Sequence, residues 1–323
     1  MVKLFFGNRS FALLFLPVII GLFGVLNFFF QHHNVQEQLT FGFWGNMHNQ
    51  AHWLYQVSAF VLILINAIMI NNIFNRNDFM DRNNYLASLL YVVLMSFFHS
   101  FYFISGAALA QTLLVLVVVQ LFKLNQNEDG RKAVFNSALL FGLAASFYPV
   151  LLIGTPFLFW MIWVMRPFIL RESLLAFTGF LIPLVYAGVY GMFAGIKVIR
   201  EDFSSSAVEW NYYDFIVLVF LVSLLVIASI SEVVGKIGTS SIRSKKLFRM
   251  ILLLIAFLMT IAVIEFLVFD KIEGLGLLIF PFMFIIPYAF GIKTPRTFAI
   301  IMYYLIFLFA VGKFFIPFDS LGF

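Results

Sequence analysis

The sequence predicts an all-α, polytopic transmembrane helical bundle, a single integral membrane domain over residues 1–323. Three observations point there. Hydrophobic residues make up 63% of the chain and charged residues only 11%, where a soluble domain averages about 25% charged. Mean hydropathy is +1.02. Apolar stretches suited to a hydrocarbon core of about 30 Å recur along the whole length. So little charge cannot cover a water-facing globule, which excludes an ordinary soluble enzyme. Disorder requires low hydrophobicity and is excluded with it.

Eleven stretches qualify: 11–30, 53–73, 85–100, 105–122, 133–148, 150–165, 174–195, 214–234, 248–268, 275–290 and 297–315. Four are short and form two pairs. The first pair turns near Ser105-Gly106 and the second near Tyr148-Pro149. The first stretch superficially resembles a signal peptide. Gln31-His32-His33 follows it with no small-residue cleavage site, so the span is expected to remain.

Loop charge sets the orientation, because cytoplasmic loops carry the excess of Lys and Arg. With the N-terminus inside, the inner segments hold Lys3, Arg9, Arg76, Arg82, Lys123, Arg131, Lys132, Arg166, Arg171, Lys236, Arg243, Lys245, Lys246, Arg249, Lys293 and Arg296. The outer segments hold only Lys197, Arg200, Lys271 and Lys313, against nine of the fifteen acids. Merging either short pair would flip every later loop and place Ser241–Arg249 outside. The expectation is therefore eleven helices, N-terminus inside and C-terminus outside.

The net charge of +5 is then a sign of orientation. It calls for no nucleic acid, and the lipid bilayer is the expected partner. The run Ile242–Arg249 suits a stop-transfer anchor and also the chemistry of anionic lipid headgroups. Trp44, Trp53, Trp160, Trp163 and Trp210 all fall near a predicted interface, where such rings anchor.

Several chemistries are excluded. The chain has no cysteine, hence no disulfide, thiolate zinc site or cysteine nucleophile. Walker, dinucleotide-binding and GxSxG motifs are absent. Gly274-Leu275-Gly276 lacks the strand–turn–helix setting of a phosphate cradle.

Polar chemistry gathers on the predicted outer side. His32, His33, His48 and His52 lie in the first outer loop, 31–52, and His99 near the outer end of the third span. Glu37 is that loop's single carboxylate, among Gln and Asn side chains, and suits a general base or a sugar-recognition surface. His with Glu can also bind a divalent cation, but His48 and His52, at i and i+4, share a helix face equally well without one. No metal site is assigned. In the second outer loop, Lys197 and Arg200 are three apart and could grip a phosphate or pyrophosphate. Local pairing with Glu201 and Asp202 is the alternative.

Ionisable residues inside spans are functional candidates by default. Glu265 falls near the outer end of the ninth span, close to Asp270 and Lys271, and Glu232 near the inner end of the eighth, with Lys236 at i+4. Neither is at mid-membrane, which disfavours an ion-coupled transporter. Asn66 and Gln111 are the deep polar residues and suit hydrogen bonds between helices.

The stretch Ser137-Ala138-Leu139-Leu140-Phe141-Gly142-Leu143-Ala144-Ala145-Ser146-Phe147-Tyr148-Pro149-Val150 is followed by Arg166-Pro167, Arg171 and Gly179-Phe180-Leu181-Ile182-Pro183. It resembles the middle of the GT-C class, multi-pass glycosyltransferases that use polyprenyl-phosphate sugars. The resemblance covers about residues 130–195 and the general layout. It implies sugar transfer on the outer face, with Glu37 as the base or acceptor-orienting group. Lys197 and Arg200 would then hold the carrier phosphate, and His32, His33 and His48 would line the sugar site. The class usually carries an acidic pair in the first outer loop and often adds a soluble outer domain. Here Glu37 stands alone, and residues 1–323 are expected to form no soluble outer domain.

The whole chain also resembles a family of bacterial multi-pass inner-membrane proteins of this length, relatives of which are labelled carotenoid-cleaving monooxygenases; the resemblance implies a bacterial inner membrane as the location. An iron oxygenase needs clustered ligands on rigid helices, whereas four of the five histidines fall in or beside a loop. The leading expectation is a GT-C-like component of envelope glycan or polyprenyl-phosphate lipid-carrier metabolism. Its rival is a non-enzymatic subunit that scaffolds an envelope or secretion complex through a membrane protein partner. A transporter comes third.

Overall fold

The computed structural model describes residues 1–7, 10–30, 39–47, 52–124, 130–194, 212–269, 271–291 and 296–315. Among them the fold is helical throughout, apart from a two-residue strand pair that matches Leu39 with Met47 and Thr40 with Asn46. The helices are α1 (Val2–Phe6), α2 (Leu16–Phe30), α3 (His52–Arg76), α4 (Leu86–Met95), α5 (Gly106–Lys123) and α6 (Arg131–Phe147). They continue as α7 (Thr155–Met165), α8 (Leu170–Ala194), α9 (Tyr212–Thr239), α10 (Ile242–Ile264), α11 (Glu273–Phe282) and α12 (Thr297–Gly312). Five helical segments are long and apolar enough to cross a membrane: Leu54–Arg76, Gly106–Lys123, Leu170–Ala194, Phe215–Thr239 and Ile242–Val268. Such helices suit a lipid bilayer, where every backbone polar group must be satisfied within the segment.

The breaks fall where small residues and proline place them. α4 ends at Met95, a short 3-10 turn follows over His99–Tyr102, and Ser105 caps α5 by accepting from the Ala108 N–H. α6 ends before Tyr148, and the 3-10 segment Pro149–Gly154 leads into α7. Both pairs are therefore two helices each, as expected from Ser105-Gly106 and Tyr148-Pro149.

Burial separates a centre from a rim. All ten residues of α4 are buried, as is the whole 3-10 segment Ile286–Phe290 that follows α11. About 61% of the α5 span is buried, against 22% of the α9 span, so α9 lies at the rim. α6 and α8 approach closely at two glycines. A methyl group on Gly142 would lie 2.3 Å from the Phe180 carbonyl oxygen, and one on Gly179 would lie 2.8 Å from the Phe135 oxygen. Small residues allow such contact between membrane helices, where packing rather than water exclusion drives association. Two residues that carry the resemblance thus have a steric task.

The two ends of the bundle differ. One end is rich in basic residues. There Lys236 Nζ donates to Asp81 Oδ1 at 2.6 Å, Lys246 Nζ to the Met165 carbonyl at 3.4 Å, and Arg296 pairs with Glu232. Arg166 Nε meets Glu172 at 3.2 Å, with Glu172 buried. The proximity of Glu232 and Lys236 along α9 is therefore not used. Each reaches to another segment instead, because α12 and the turn after α3 bring a partner of opposite charge. At the opposite end, Lys313 Nζ donates to the Ser96 carbonyl at 2.7 Å, closing the C-terminus of α4.

Candidate functional site

The end opposite the basic one is built around a buried carboxylate. α10 runs to Ile264, and its last turn widens into a π-helical turn over Glu265–Phe269. Such turns recur at functional sites. Glu265, the first residue of that turn, is 1% exposed. One carboxyl oxygen accepts from the Tyr148 hydroxyl at the end of α6. The other accepts from the Gly274 N–H at 2.6 Å.

Gly274 lies in the first turn of α11, where free N–H groups and the helix dipole favour a carboxylate. A methyl group there would come within 2.4 Å of the Glu265 oxygen, so only glycine admits the contact. Glu273 stands beside it at the head of the same helix. One carboxylate thus ties α6, α10 and α11 together.

The network continues inward from the same turn. The Gly276 carbonyl accepts from Gln111 Nε2 at 3.0 Å. Gln111 Oε1 accepts from the Tyr91 hydroxyl at 2.7 Å, and the Tyr91 oxygen accepts from Asn66 Nδ2 at 3.3 Å. Asn66 and Gln111 do bond between helices, as their depth suggested. Replacing Gln111 with Leu leaves the Tyr91 hydroxyl and the Gly276 oxygen without their partner. We expect it to lower the unfolding free energy by about 1–2 kcal/mol, measurable as a shift of the unfolding midpoint in mixed detergent micelles.

A short loop roofs this corner. The strand pair 39–47 carries Gly42–Trp44 onto the α6 terminus. Gly42 has φ +58°, and a methyl group on it would lie 2.7 Å from the Ser146 carbonyl oxygen and 2.8 Å from that of Phe147. Trp44 Nε1 donates to Ser146 Oγ at 3.0 Å, and its ring stacks on Phe147 and meets Tyr190 at 5.5 Å between centroids. Residues 31–38 and 48–51, on either side of this loop, lie outside the described residues.

Glu37, His32, His33, His48, Lys197 and Arg200 all lie outside the described residues. His52 opens α3, and His99 opens the 3-10 turn His99–Tyr102. That turn packs on α11 through Phe101, whose ring would lie 2.3 Å from a methyl group on Gly276. Among the described residues there is no group of three or more His, Cys, Asp or Glu side chains placed to hold a metal ion.

Three members of the cluster carry no such role in the sequence reading. Tyr148 stood inside the quoted motif without a role. Gly274 and Gly276 were weighed only as a phosphate cradle, whereas they give Glu265 a backbone donor and Gln111 a backbone acceptor. The available signal was a Gly-x-Gly placed nine residues after an in-span glutamate. Comparison of the chain with protein-family models, with curated proteins and with solved structures found no match.

Proposed function

We propose that this protein is a GT-C-like component of envelope glycan or polyprenyl-phosphate lipid-carrier metabolism. In this reading it crosses the bacterial inner membrane eleven times, N-terminus inside and C-terminus outside, and works on the outer face. The end that carries Lys236, Arg243 and Arg296 faces the cytoplasm, as the distribution of basic residues requires. The observation that carries the reading is the seat of the 39–47 loop. Gly42 and Trp44 rest on Ser146 and Phe147, within the stretch that resembles the GT-C class. The first outer loop and the α6 turn then form one corner, with Tyr148 and Glu265 beneath it.

In that corner Glu37 acts as the base or orients the acceptor. Lys197 and Arg200 hold the carrier phosphate as charge-assisted donors, and His32, His33 and His48 line the sugar site. Mass spectrometry of lipids retained after gentle purification tests the carrier. A stoichiometric polyprenyl phosphate, or its sugar-linked form, is expected, and bulk phospholipid alone counts against the reading. Glu37→Ala is expected to alter the glycan profile of cells that depend on the gene. An unchanged profile removes the catalytic role.

A second reading, a non-enzymatic subunit of an envelope or secretion complex, is favoured by one observation. Both oxygens of Glu265 are engaged by this chain's own donors, as in a structural tie. It expects a membrane protein to co-purify in fixed ratio, and Glu37 and Arg200 to be dispensable.

A further inference from the structure

Four helix ends meet at the basic end of the bundle, around the connection from α7 to α8. Arg166 precedes Pro167, which holds it extended (φ −141°, ψ 141°) and ends α7. Its side chain joins α6 to α8. Nε meets the buried Glu172 at 3.2 Å, and a methyl group on Gly130, at the head of α6, would lie 2.7 Å from Nη1. α10 joins them through Lys246, whose Nζ donates to the Met165 carbonyl at 3.4 Å. Arg171 stands beside Glu172 in the first turn of α8. Lys245 and Arg249 flank Lys246 on α10.

These contacts leave cations over. Glu172 is taken by Arg166. Elsewhere at this end Lys236 pairs with Asp81 and Arg296 with Glu232, while Arg243 reaches Asn77 Oδ1 at 3.5 Å. Among the described residues Arg171, Lys245 and Arg249 form no ion pair. Lys245 and Arg249 are four apart and share a helix face. Arg249 is exposed, and so is Arg171. Glu128 and Asp129, which precede Arg131, lie outside the described residues.

The same corner carries exposed apolar side chains. Phe168, Ile169 and Leu170 follow Pro167 and are all exposed, Phe168 by 60% and Leu170 by 64%. Trp160 and Trp163, three apart on α7, are exposed as well, and Trp163 meets Phe168 edge-to-face at 5.5 Å. The Trp160 ring stacks on Phe157, which stacks in turn on Phe257 of α10. An aromatic strip thus runs along α7 away from the cations, backed by α10.

One chemistry suits both halves of this surface, an amphiphile with a negative headgroup. Binding to anionic lipid grows with apolar contact and with electrostatic attraction. An acidic protein segment would meet the cations but leave Trp160 and Trp163 without an apolar partner. A zwitterionic lipid would cover the strip, but its own cation would oppose the attraction.

We propose that the α7–α8 connection is a binding site for an anionic phospholipid, its headgroup facing Arg171, Lys245 and Arg249 and an acyl chain laid along Trp163 and Trp160. A stop-transfer anchor accounts for basic residues at this end in general. It does not account for Phe168, Ile169 and Leu170 exposed among them. The site lies at the opposite end from Glu265 and is independent of the glycosyl-transfer reading.

The test is native mass spectrometry of the full chain, stripped of lipid by detergent exchange. The probes are phosphatidylglycerol and phosphatidylcholine with identical acyl chains. Wild type is expected to retain phosphatidylglycerol in preference. Each cation removed weakens the attraction to an anionic headgroup roughly fivefold. The triple variant Arg171→Gln, Lys245→Gln, Arg249→Gln is therefore expected to lose about two orders of magnitude of that preference. The triple variant Lys3→Gln, Arg76→Gln, Arg82→Gln removes the same charge near the start of α4 and is expected to keep it. Equal loss in both variants overturns the site in favour of a diffuse basic surface. No preference in wild type also overturns it, and leaves the cations to an acidic partner protein. A second measurement needs no variant. Phosphatidylglycerol with a photoreactive acyl chain is expected to label the wild-type peptides of residues 160–170 above those of the rim helix α9, whereas the matching phosphatidylcholine labels α9 no less. Identical labelling patterns for the two lipids overturn the proposal.

Discussion

Replacing Glu265 with alanine is expected to destabilise the protein by about 2–6 kcal/mol, because two buried donors, the Tyr148 hydroxyl and the Gly274 N–H, lose their acceptor at about 1–3 kcal/mol each. Both donors belong to segments distant in sequence, so the loss loosens the joints among α6, α10 and α11 together. Glu265→Gln keeps the shape and one acceptor oxygen. Its NH₂ must then face one of the two donors, so about half of the effect is expected. The measurement is the unfolding midpoint in mixed micelles for wild type, Glu265→Gln and Glu265→Ala, in that order of decreasing stability. A wild-type midpoint for Glu265→Ala would falsify the view that this carboxylate ties the three elements. The scaffold reading predicts the same loss of stability, so this experiment speaks to the site's architecture and not to its chemistry.

The second large effect is expected at Gly142. A β-carbon there would lie 2.3 Å from the Phe180 carbonyl oxygen. The obstacle is backbone in the middle of α8, not the tip of a side chain that can swing away. Gly142→Leu must push α6 and α8 apart along a seam where Gly179 makes the reciprocal contact with Phe135. Overpacking of this kind costs about 1–3 kcal/mol or more in a close-packed interior. The displacement also carries Tyr148, at the end of α6, away from Glu265. A disulfide cross-link between cysteines introduced on facing positions of α6 and α8 reports the seam directly. Rapid cross-linking in wild type and slow cross-linking in the Gly142→Leu background is the expected contrast. Equal rates would show that the seam absorbs the side chain.

Much of the helical layout was legible in the sequence, for a physical reason. A helix that meets lipid must be apolar over its whole length, so its presence is written in composition. Its breaks are written in Gly and Pro, as at Ser105-Gly106 and Tyr148-Pro149. Partnerships were less legible. Glu232 and Lys236 are neighbours on α9, yet each is paired across the fold, with Arg296 and Asp81. Local spacing describes only what one helix could do by itself. Asn66 and Gln111 were recognisable as bonding groups because polar side chains are rare at that depth. Their partners were not, since one is a tyrosine among 12 and another is a backbone carbonyl, which leaves no trace in residue identity. Glu265 stands out as an in-span acid, but its partners, the Tyr148 hydroxyl and the Gly274 N–H, come from segments distant in sequence that local spacing does not announce. The loop residues Glu37, His32, His33, His48, Lys197 and Arg200 lie outside the described residues, so their roles rest on chemistry and predicted sidedness.

The early and late parts of the chain meet at one seam. Phe23 of α2 packs edge-to-face on Phe307 of α12 at 6.0 Å, and both helices flank the enclosed α4. During synthesis, α2 and α4 enter the bilayer long before α12 exists. Until α12 arrives, one flank of α4 faces lipid or a chaperone of the insertion machinery instead of its native neighbour. Docking of α12 therefore closes a seam that α2 and α4 leave open when they first enter the bilayer. A defect near residue 307 would consequently surface as a failure of the N-terminal helices to settle.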